Sequence, residues 1–316
     1  MNPRIIAMGE TVLDILFHEQ ECNGVRESLP FAAVPGGSSF NSMVSIGRSG
    51  IPCLFIGYTG ANRVGYQIVD FMKSNGISTD YFEVRKDERA ALSLAYLDSK
   101  GDADYVFYKD TPVASARYLK PKFMPTDYFL FGSYFAICPG LRTQVRDILQ
   151  SVHDTGAIVY YDINFRRSHQ PEKENLLPVV QENCMLSSIV RGSADDFDIL
   201  FGTRNPEEIY SKHISEYCPI FICTAGAGQI FICTPHAIHE FHVPQIPAHE
   251  IVSTVGAGDS FNAGFLCAMY AKGIRKEMLP TMERSHWEEL VANGVKYASK
   301  VCRSRHNYIE KQYKIT

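Results

Sequence analysis

The sequence predicts an α/β fold in which a mainly parallel sheet is covered by helices on both faces and carries a small separate sheet inserted between core elements. Three observations predict it. Short apolar runs alternate with helix-periodic segments over most of the 316 residues. Two early segments, 12–34 and 91–110, alternate like strands with no helix between them, for example Leu92, Leu94 and Tyr96 against Ser93, Ala95 and Leu97. No Pro/Gly-rich linker, internal repeat or low-complexity stretch divides the chain, so 1–316 is expected to be one domain.

Taken in order, Ile5-Ile6-Ala7-Met8 reads as the first strand, followed by the inserted segment 12–34 and a helix over 40–49. A strand begins at Cys53-Leu54-Phe55-Ile56-Gly57, a helix spans 64–75, and the second inserted segment follows. Tyr128-Phe129-Leu130-Phe131-Gly132, Ile158-Val159-Tyr160-Tyr161-Asp162, Ser188-Ile189-Val190 and Ile220-Phe221-Ile222-Cys223 are core strands. Helices over 140–155, 172–184 and 195–201 alternate with them. Phe261, Phe265 and Met269 recur every four positions and Gly273 closes the pattern, so a helix starts near Ala257. Residues 274–316 read as largely helical, with 287–300 as the main element.

Composition bounds the function. Hydrophobic content of 45% and charged content of 21% suit a globular domain. A net charge of −4 gives no electrostatic reason to expect nucleic acid or an anionic membrane as partner. No apolar run nears the roughly 18 residues that a membrane span needs. The start leads straight into a short strand and Gly9-Glu10, too short and too acidic for a secretory signal, so a cytoplasmic location is expected. The nine cysteines form no C-x-x-C pair and read as free thiols of a reducing compartment. His18-Glu19, His239-Glu240 and His249-Glu250 each lack a second histidine in zinc-protease spacing. There is no G-x-x-x-x-G-K-[ST], no G-x-G-x-x-G after the first strand and no protein-kinase signature.

The most informative stretch is Ser253-Thr254-Val255-Gly256-Ala257-Gly258-Asp259-Ser260-Phe261. A helix start exposes unpaired backbone N–H groups, and glycines let an anion approach them. A carboxylate fixed there, Asp259, completes what phosphate transfer to a neutral hydroxyl needs. Glycine-rich turns and a dipole-favoured aspartate also occur for purely structural reasons. Pro35-Gly36-Gly37-Ser38-Ser39-Phe40-Asn41 is a second glycine turn before a helix; the glycines let backbone meet a ligand, with Asn41 bonding its hydroxyls. Asp14, just after the first strand, is a carboxylate suited to accept two sugar hydroxyls. Turn-and-cap chemistry is the alternative for both.

Together these residues resemble the PfkB (ribokinase-like) carbohydrate kinases. The match runs from Gly9-Glu10 and Asp14 through Gly36-Gly37, Asn41, Gly47 and Gly50 to Thr254–Asp259 in the family's order and spacing. The resemblance implies a three-layer α/β/α core with a small discontinuous β-sheet lid. It implies that Asp259 takes the proton of a sugar hydroxyl attacking the γ-phosphate of ATP, while the amides of Gly256, Ala257 and Gly258 stabilise the transferring phosphoryl group. The 224–228 loop resembles the family's T-x-G-x-x-G nucleotide loop, although Gly228 comes one position early, so Thr224 and Gly226 carry over best. The family's N-x-x-E magnesium motif is met either by Asn205 and Glu208 or, after a strand as expected, by Ser193 and Asp196. With the latter, Mg2+ is held by nucleotide phosphates and water, and Asp196 acts through water. Asn293 resembles a residue near the nucleotide base. Ser253 stands where the family usually has Asp, a residue that often contributes to a monovalent-cation site, so a potassium requirement stays open.

Asp162-Ile163-Asn164-Phe165-Arg166 resembles the D-x-N-x-R segment of fructokinases and 2-keto-3-deoxygluconate kinases. Asp162, Asn164, Arg166 and, from the lid, Lys109 are therefore expected at the sugar. A neutral ketose, fructose phosphorylated on its 6-hydroxyl, is the preferred acceptor. The alternatives are 2-keto-3-deoxygluconate, then ribose or a nucleoside, and, from another class, a non-catalytic sugar- or nucleotide-binding protein. Relatives dimerise through the lid, so a homodimer is a further expectation.

Overall fold

The computed structural model of the protein describes residues 3–18, 31–97, 103–110, 117–226 and 228–311. Residues 19–30 and 98–102 of the expected inserted sheet, with Cys22, and Ala227 of the 224–228 loop lie outside the described residues, as do 312–316. The strands are β1 (Ile5–Met8), β2 (Val12–His18), β3 (Phe31–Gly36), β4 (Cys53–Gly60), β5 (Ile77–Ser78), β6 (Phe82–Arg85), β7 (Ala91–Leu97), β8 (Ala103–Tyr108), β9 (Tyr128–Gly132), β10 (Ile158–Asp162), β11 (Ile189–Ser193), β12 (Ile220–Ala225), β13 (Gln229–Cys233) and β14 (Ile238–His242). The helices are α1 (Ser38–Arg48), α2 (Arg63–Ser74), α3 (Ser133–Ile137), α4 (Arg142–His153), α5 (Lys173–Met185), α6 (Ala194–Phe201), α7 (Pro206–Ile209), α8 (Ala257–Ala271) and α9 (Arg284–Cys302).

The large sheet has the order β14-β13-β12-β11-β10-β9-β1-β4-β5, with β6 beside β4. From β12 to β4 every neighbouring pair is parallel. Buried on both faces, these strands sort their side chains by alternation into two apolar layers. Ile5, Ala7, Tyr128, Leu130 and Tyr160 pack with Phe40, Ile68, Phe265 and Trp287 of α1, α2, α8 and α9. Ile6, Met8, Phe129, Phe131 and Tyr161 pack with Val145, Leu176, Phe197 and Ile209 of α4 to α7. The chain leaves β1 toward β4 on one side and returns to β9 on the other. The crevice beyond the carboxyl end of β1 is therefore a topological switch point, where open α/β sheets bind ligands.

The second sheet, β3-β2-β7-β8, is inserted between β1 and α1 and again between β6 and β9. β2 pairs antiparallel with β3 and parallel with β7, setting Asp14 opposite Ser93.

The large sheet holds more strands than the series of core strands named from the sequence, and one expectation, a helical C-terminal segment, needs correction. β13 and β14 add an antiparallel pair to the large sheet, and β5 and β6 add short pieces at its other end. β5 has only two residues, and edge strand β14 leaves Ile238 exposed, so neither carries the pattern of a buried strand. Residues 303–311 are not helical. Arg48 of α1 holds this segment instead, donating to the Ile309 carbonyl at 2.5 Å with its guanidinium 4.6 Å from the Tyr308 ring centroid.

Candidate active site

Two helix N-termini meet at the switch point. Asp259, in the first turn of α8, accepts from Ser38 Oγ at 2.7 Å on Oδ1 and from Asn41 Nδ2 at 2.9 Å on Oδ2. Ser42 Oγ donates to the Asp259 carbonyl at 2.8 Å. Ser38, Asn41 and Ser42 lie three and four positions apart, on one face of α1, so a single helix face orients the carboxylate. The Oδ1 of Asn41 is buried without a partner among the described residues, an acceptor suited to a hydroxyl.

Asp14 comes up from the small sheet. It is 5% exposed, and its Oδ1 accepts a short hydrogen bond from Ser93 Oγ. A Cβ on Gly36 would overlap Asp14 Oδ2, so glycine there lets the turn into α1 pass against the carboxylate. Gly37 follows, with its Cα facing the Glu10 carbonyl, which a Cβ would approach to 2.5 Å. Burial pushes Asp14 up to about 6, with Asp259 and Glu10 adding repulsion and Ser93 opposing it. Burial likewise raises Asp259 to about 6, against the hydrogen bonds from Asn41 and Ser38; Asp162 adds to the rise and Arg166 opposes it. With burial raising both carboxyls to about 6, the charged form predominates at pH 7. For Asp259 as base, kcat/KM is expected to fall as pH drops through about 6. In Ser38→Ala, which removes a bond favouring the charged form, that acid limb should move to higher pH, a shift that a pH–rate profile reads directly.

The cradle residues precede Asp259. Gly256 takes a left-handed φ of 79° where α8 begins, and a Cβ there would overlap the Asn307 carbonyl. Side chains would both strain this turn and displace the C-terminal segment. Ala257 N donates to the Thr254 carbonyl at 3.2 Å, and Gly258 follows in the first turn of the helix, where backbone amides have no intrahelical carbonyl to meet. Upstream, Ser253 Oγ accepts from Val255 N at 3.1 Å, and Ser253 N donates to the Cys302 carbonyl at 3.3 Å, so this serine staples its own loop.

The other predicted residues fall around this centre in different ways. Asp162, at the end of β10, is 3% exposed and both its oxygens are engaged, by Arg191 Nη1 at 2.9 Å and Asn262 Nδ2 at 2.7 Å. Asn164 has φ 40° and donates to Ser133 Oγ at 2.9 Å; Ser133 itself has φ 57°. These are the two non-glycine residues with positive φ among those described, and both sit where strands end at the crevice. Arg166 is exposed yet close enough to Asp259 to stabilise its charge. Lys109, just past β8, pairs with Glu10 at 2.7 Å and lies 5.8 Å from the Tyr134 ring centroid, joining the small sheet to the core.

Residues expected at the nucleotide are spread along the neighbouring strand ends. Thr224 is the next-to-last residue of β12, and its Oγ1 accepts from Arg191 Nη2 at 2.8 Å. Gly226 turns with φ 60° in the β12–β13 hairpin, and Gly228 N donates to the Ala225 carbonyl at 3.3 Å. Ser193 caps α6 in a reciprocal box: Asp196 Oδ2 accepts from Ser193 N at 2.6 Å, and Asp196 N donates to Ser193 Oγ at 3.2 Å. Burial raises the Asp196 carboxyl. Asn205 caps α7 in turn, and Glu208 bonds Thr203 and Lys212. Asn293 donates to the Gly264 carbonyl at 2.6 Å and so ties α9 to α8. Among the described residues no cluster of three or more His, Cys, Asp or Glu is placed to hold a metal.

Sequence reading missed Ser38, Ser42, Ser93, Asn262 and Arg191. Ser38 was findable from its i, i+3 spacing to Asn41, and Asn262 from the same spacing to Asp259. Arg191 carries its own signal, a cation within the apolar run of a strand buried on both faces.

A helix start, a carboxylate held against it and a second carboxylate from the small sheet are parts that suit phosphate transfer to a hydroxylated acceptor. The pfkB family carbohydrate kinase model matches residues 2–311, and the chain belongs to that family. Among its relatives, the "Probable fructokinase-5" of Arabidopsis thaliana is 25% identical over 281 residues, covering 86% of this chain and 84% of the relative. The aminoimidazole riboside kinase of Salmonella typhimurium is 24% identical, covering 83% and 80%. The crystal structure of the Xylella fastidiosa fructokinase with bound ATP superposes with a TM-score of 0.83 at 19% identity, covering 97% of this chain and 94% of that one. The fold is thus ribokinase-like, and the protein is a carbohydrate kinase. No helix among the described residues is long and apolar enough to cross a membrane.

Proposed function

We propose that this kinase transfers the γ-phosphoryl group of ATP to the 6-hydroxyl of fructose, with Asp259 as the general base. The observation that carries the reading is the double grip of Ser38 and Asn41 on Asp259 at the N-terminus of α8, beside Asp14. The sugar hydroxyl gives its proton to the Asp259 carboxylate as its oxygen bonds the γ-phosphorus. The bond from that phosphorus to the β,γ-bridging oxygen breaks, and ADP leaves. Amides of Gly256, Ala257 and Gly258, at the positive end of α8, meet the charge that grows on the transferring group. Asp14 and Asn41 Oδ1 accept hydroxyls of the sugar, and Asn164, Arg166 and Lys109 border it. The small sheet covers this pocket as a lid and keeps water from competing as acceptor.

Ser193, Thr224, Gly226, Gly228 and Asn293 would flank the nucleotide. Mg2+ would arrive on the nucleotide phosphates, with Asp196 reaching it through water. Magnesium would neutralise phosphate charge; orientation and proton acceptance fall to the residues named above. Asp162 is engaged by Arg191 and Asn262, so its part in this site is support rather than sugar contact. The exposed lid aromatics Phe31, Tyr96 and Tyr108 offer a face for a second copy of the chain. Nine cysteines without a C-x-x-C pair suit a reducing compartment, and the proposed location is the cytoplasm.

Turnover with ATP should be measured on fructose, 2-keto-3-deoxygluconate, ribose, aminoimidazole riboside and adenosine. The expected result is the highest kcat/KM on fructose; a clear preference for another acceptor would replace it while leaving the role of Asp259 in place.

A further inference from the structure

Arg191 is a buried cation that no step above uses. It projects from β11 beneath the start of α8, where a Cβ on Gly258 would stand 3.2 Å from both Nη atoms. One Nη donates to Asp162 Oδ1 at 2.9 Å and the other to Thr224 Oγ1 at 2.8 Å. Asp162 Oδ2 in turn accepts from Asn262 of α8 at 2.7 Å, and Asn262 Oδ1 accepts from the Tyr160 hydroxyl at 3.0 Å. A single guanidinium thereby joins the end of β10, the nucleotide-side strand β12 and the helix that presents the cradle. A buried ion pair is a weak source of stability, because desolvating both charges offsets most of their attraction. The planar fork of arginine, unlike a lysine ammonium, fixes two partners at set angles.

We propose that Arg191 is a positioning residue for phosphoryl transfer, holding the Gly256–Gly258 cradle in register with the Thr224 loop and placing a positive charge directly beneath it. This rests on Asp259 and the cradle acting as described above. Two effects follow from the geometry. Loss of the fork lets α8 shift relative to β12, which lowers kcat more than it weakens binding. Loss of the charge alone leaves Asp162 buried and unpaired near Asp259, whose other charged neighbours are Asp14 from the small sheet and Arg166 after β10.

The test compares Arg191→Met, Arg191→Lys and the double variant Arg191→Met/Asp162→Asn, which removes both charges together and keeps the fold measurable if the first variant does not. Arg191→Met is expected to lower kcat by about 10²-fold or more with the KM for sugar changed by less than about threefold. Its acid limb in the pH–rate profile should move to higher pH. In the double variant the limb should return while kcat stays low, and Arg191→Lys should recover only part of the rate. Wild-type kcat in the double variant would show that Arg191 merely neutralises Asp162 and would overturn the proposal. So would a loss confined to the Kd for ATP. Full turnover by Asp259→Asn would instead remove the base reading itself, an outcome distinct from either.

Discussion

Replacing Asp259 with Asn is expected to lower kcat by about 10²–10⁴-fold while leaving the binding of ATP and sugar largely intact. The amide is close to the carboxylate in shape and keeps an acceptor for Ser38 or Asn41, but it cannot take the hydroxyl proton at neutral pH. Folding should not suffer. Burial raises the Asp259 carboxyl from its ordinary 3.8 to about 6, so its protonated form favours the folded state. That contribution is complete below pH 4 and is lost as pH rises through about 6. The variant carries no such ionisation, so its thermal midpoint at pH 8 is expected to equal or exceed that of the wild type. Calorimetric titration with sugar and with ATP, beside steady-state rates, separates a lost base from a lost site.

Gly256→Ala should be nearly as damaging for a different reason. Its φ of 79° disfavours any Cβ, and the added methyl would overlap the backbone of Asn307. Relief requires moving either the first turn of α8 or the C-terminal segment that Arg48 anchors. Left-handed strain of this kind costs about 1–3 kcal/mol. The amides proposed to meet the phosphoryl group would also be displaced, and loss of one such donor typically costs about 10²–10³-fold in kcat. Both a lowered thermal midpoint and a lowered kcat are expected. A fully active, equally stable variant would mean that the turn at Gly256 does not set the cradle.

Much of this was legible in the sequence, because buried parallel strands announce themselves as continuous apolar runs. Tyr128–Gly132 and Ile158–Asp162 form strands over the residues their apolar character marks. The start of α8 at Ala257 follows from the glycine turn and the four-residue spacing of its apolar face. Edge elements were harder, since β14 is half solvated and β5 too short for any period to show. The site divided along the same physical line. Asp14, Asn41 and Asp259 are local to helix starts and strand ends, whose chemistry short patterns carry. The role of Asp162 was not legible, because its partners Arg191 and Asn262 lie 29 and 100 positions away and meet it only through the sheet order. Ser93 is likewise paired with Asp14 by the parallel register of β2 and β7, a pairing that sequence spacing does not encode.

The central claim is that the carboxylate gripped by α1 at the start of α8 takes the proton of a sugar hydroxyl as that oxygen attacks the γ-phosphorus of ATP. Phosphorus NMR of ATP and fructose incubated with the wild-type enzyme and with Asp259→Asn tests it most directly. The expected spectra show ADP and fructose 6-phosphate growing together with the wild type, and both growing about 10²–10⁴-fold more slowly with the variant. Sugar phosphate formed at a comparable rate by the variant, or ADP released by the wild type with free phosphate and no sugar phosphate across the acceptor panel, would contradict it.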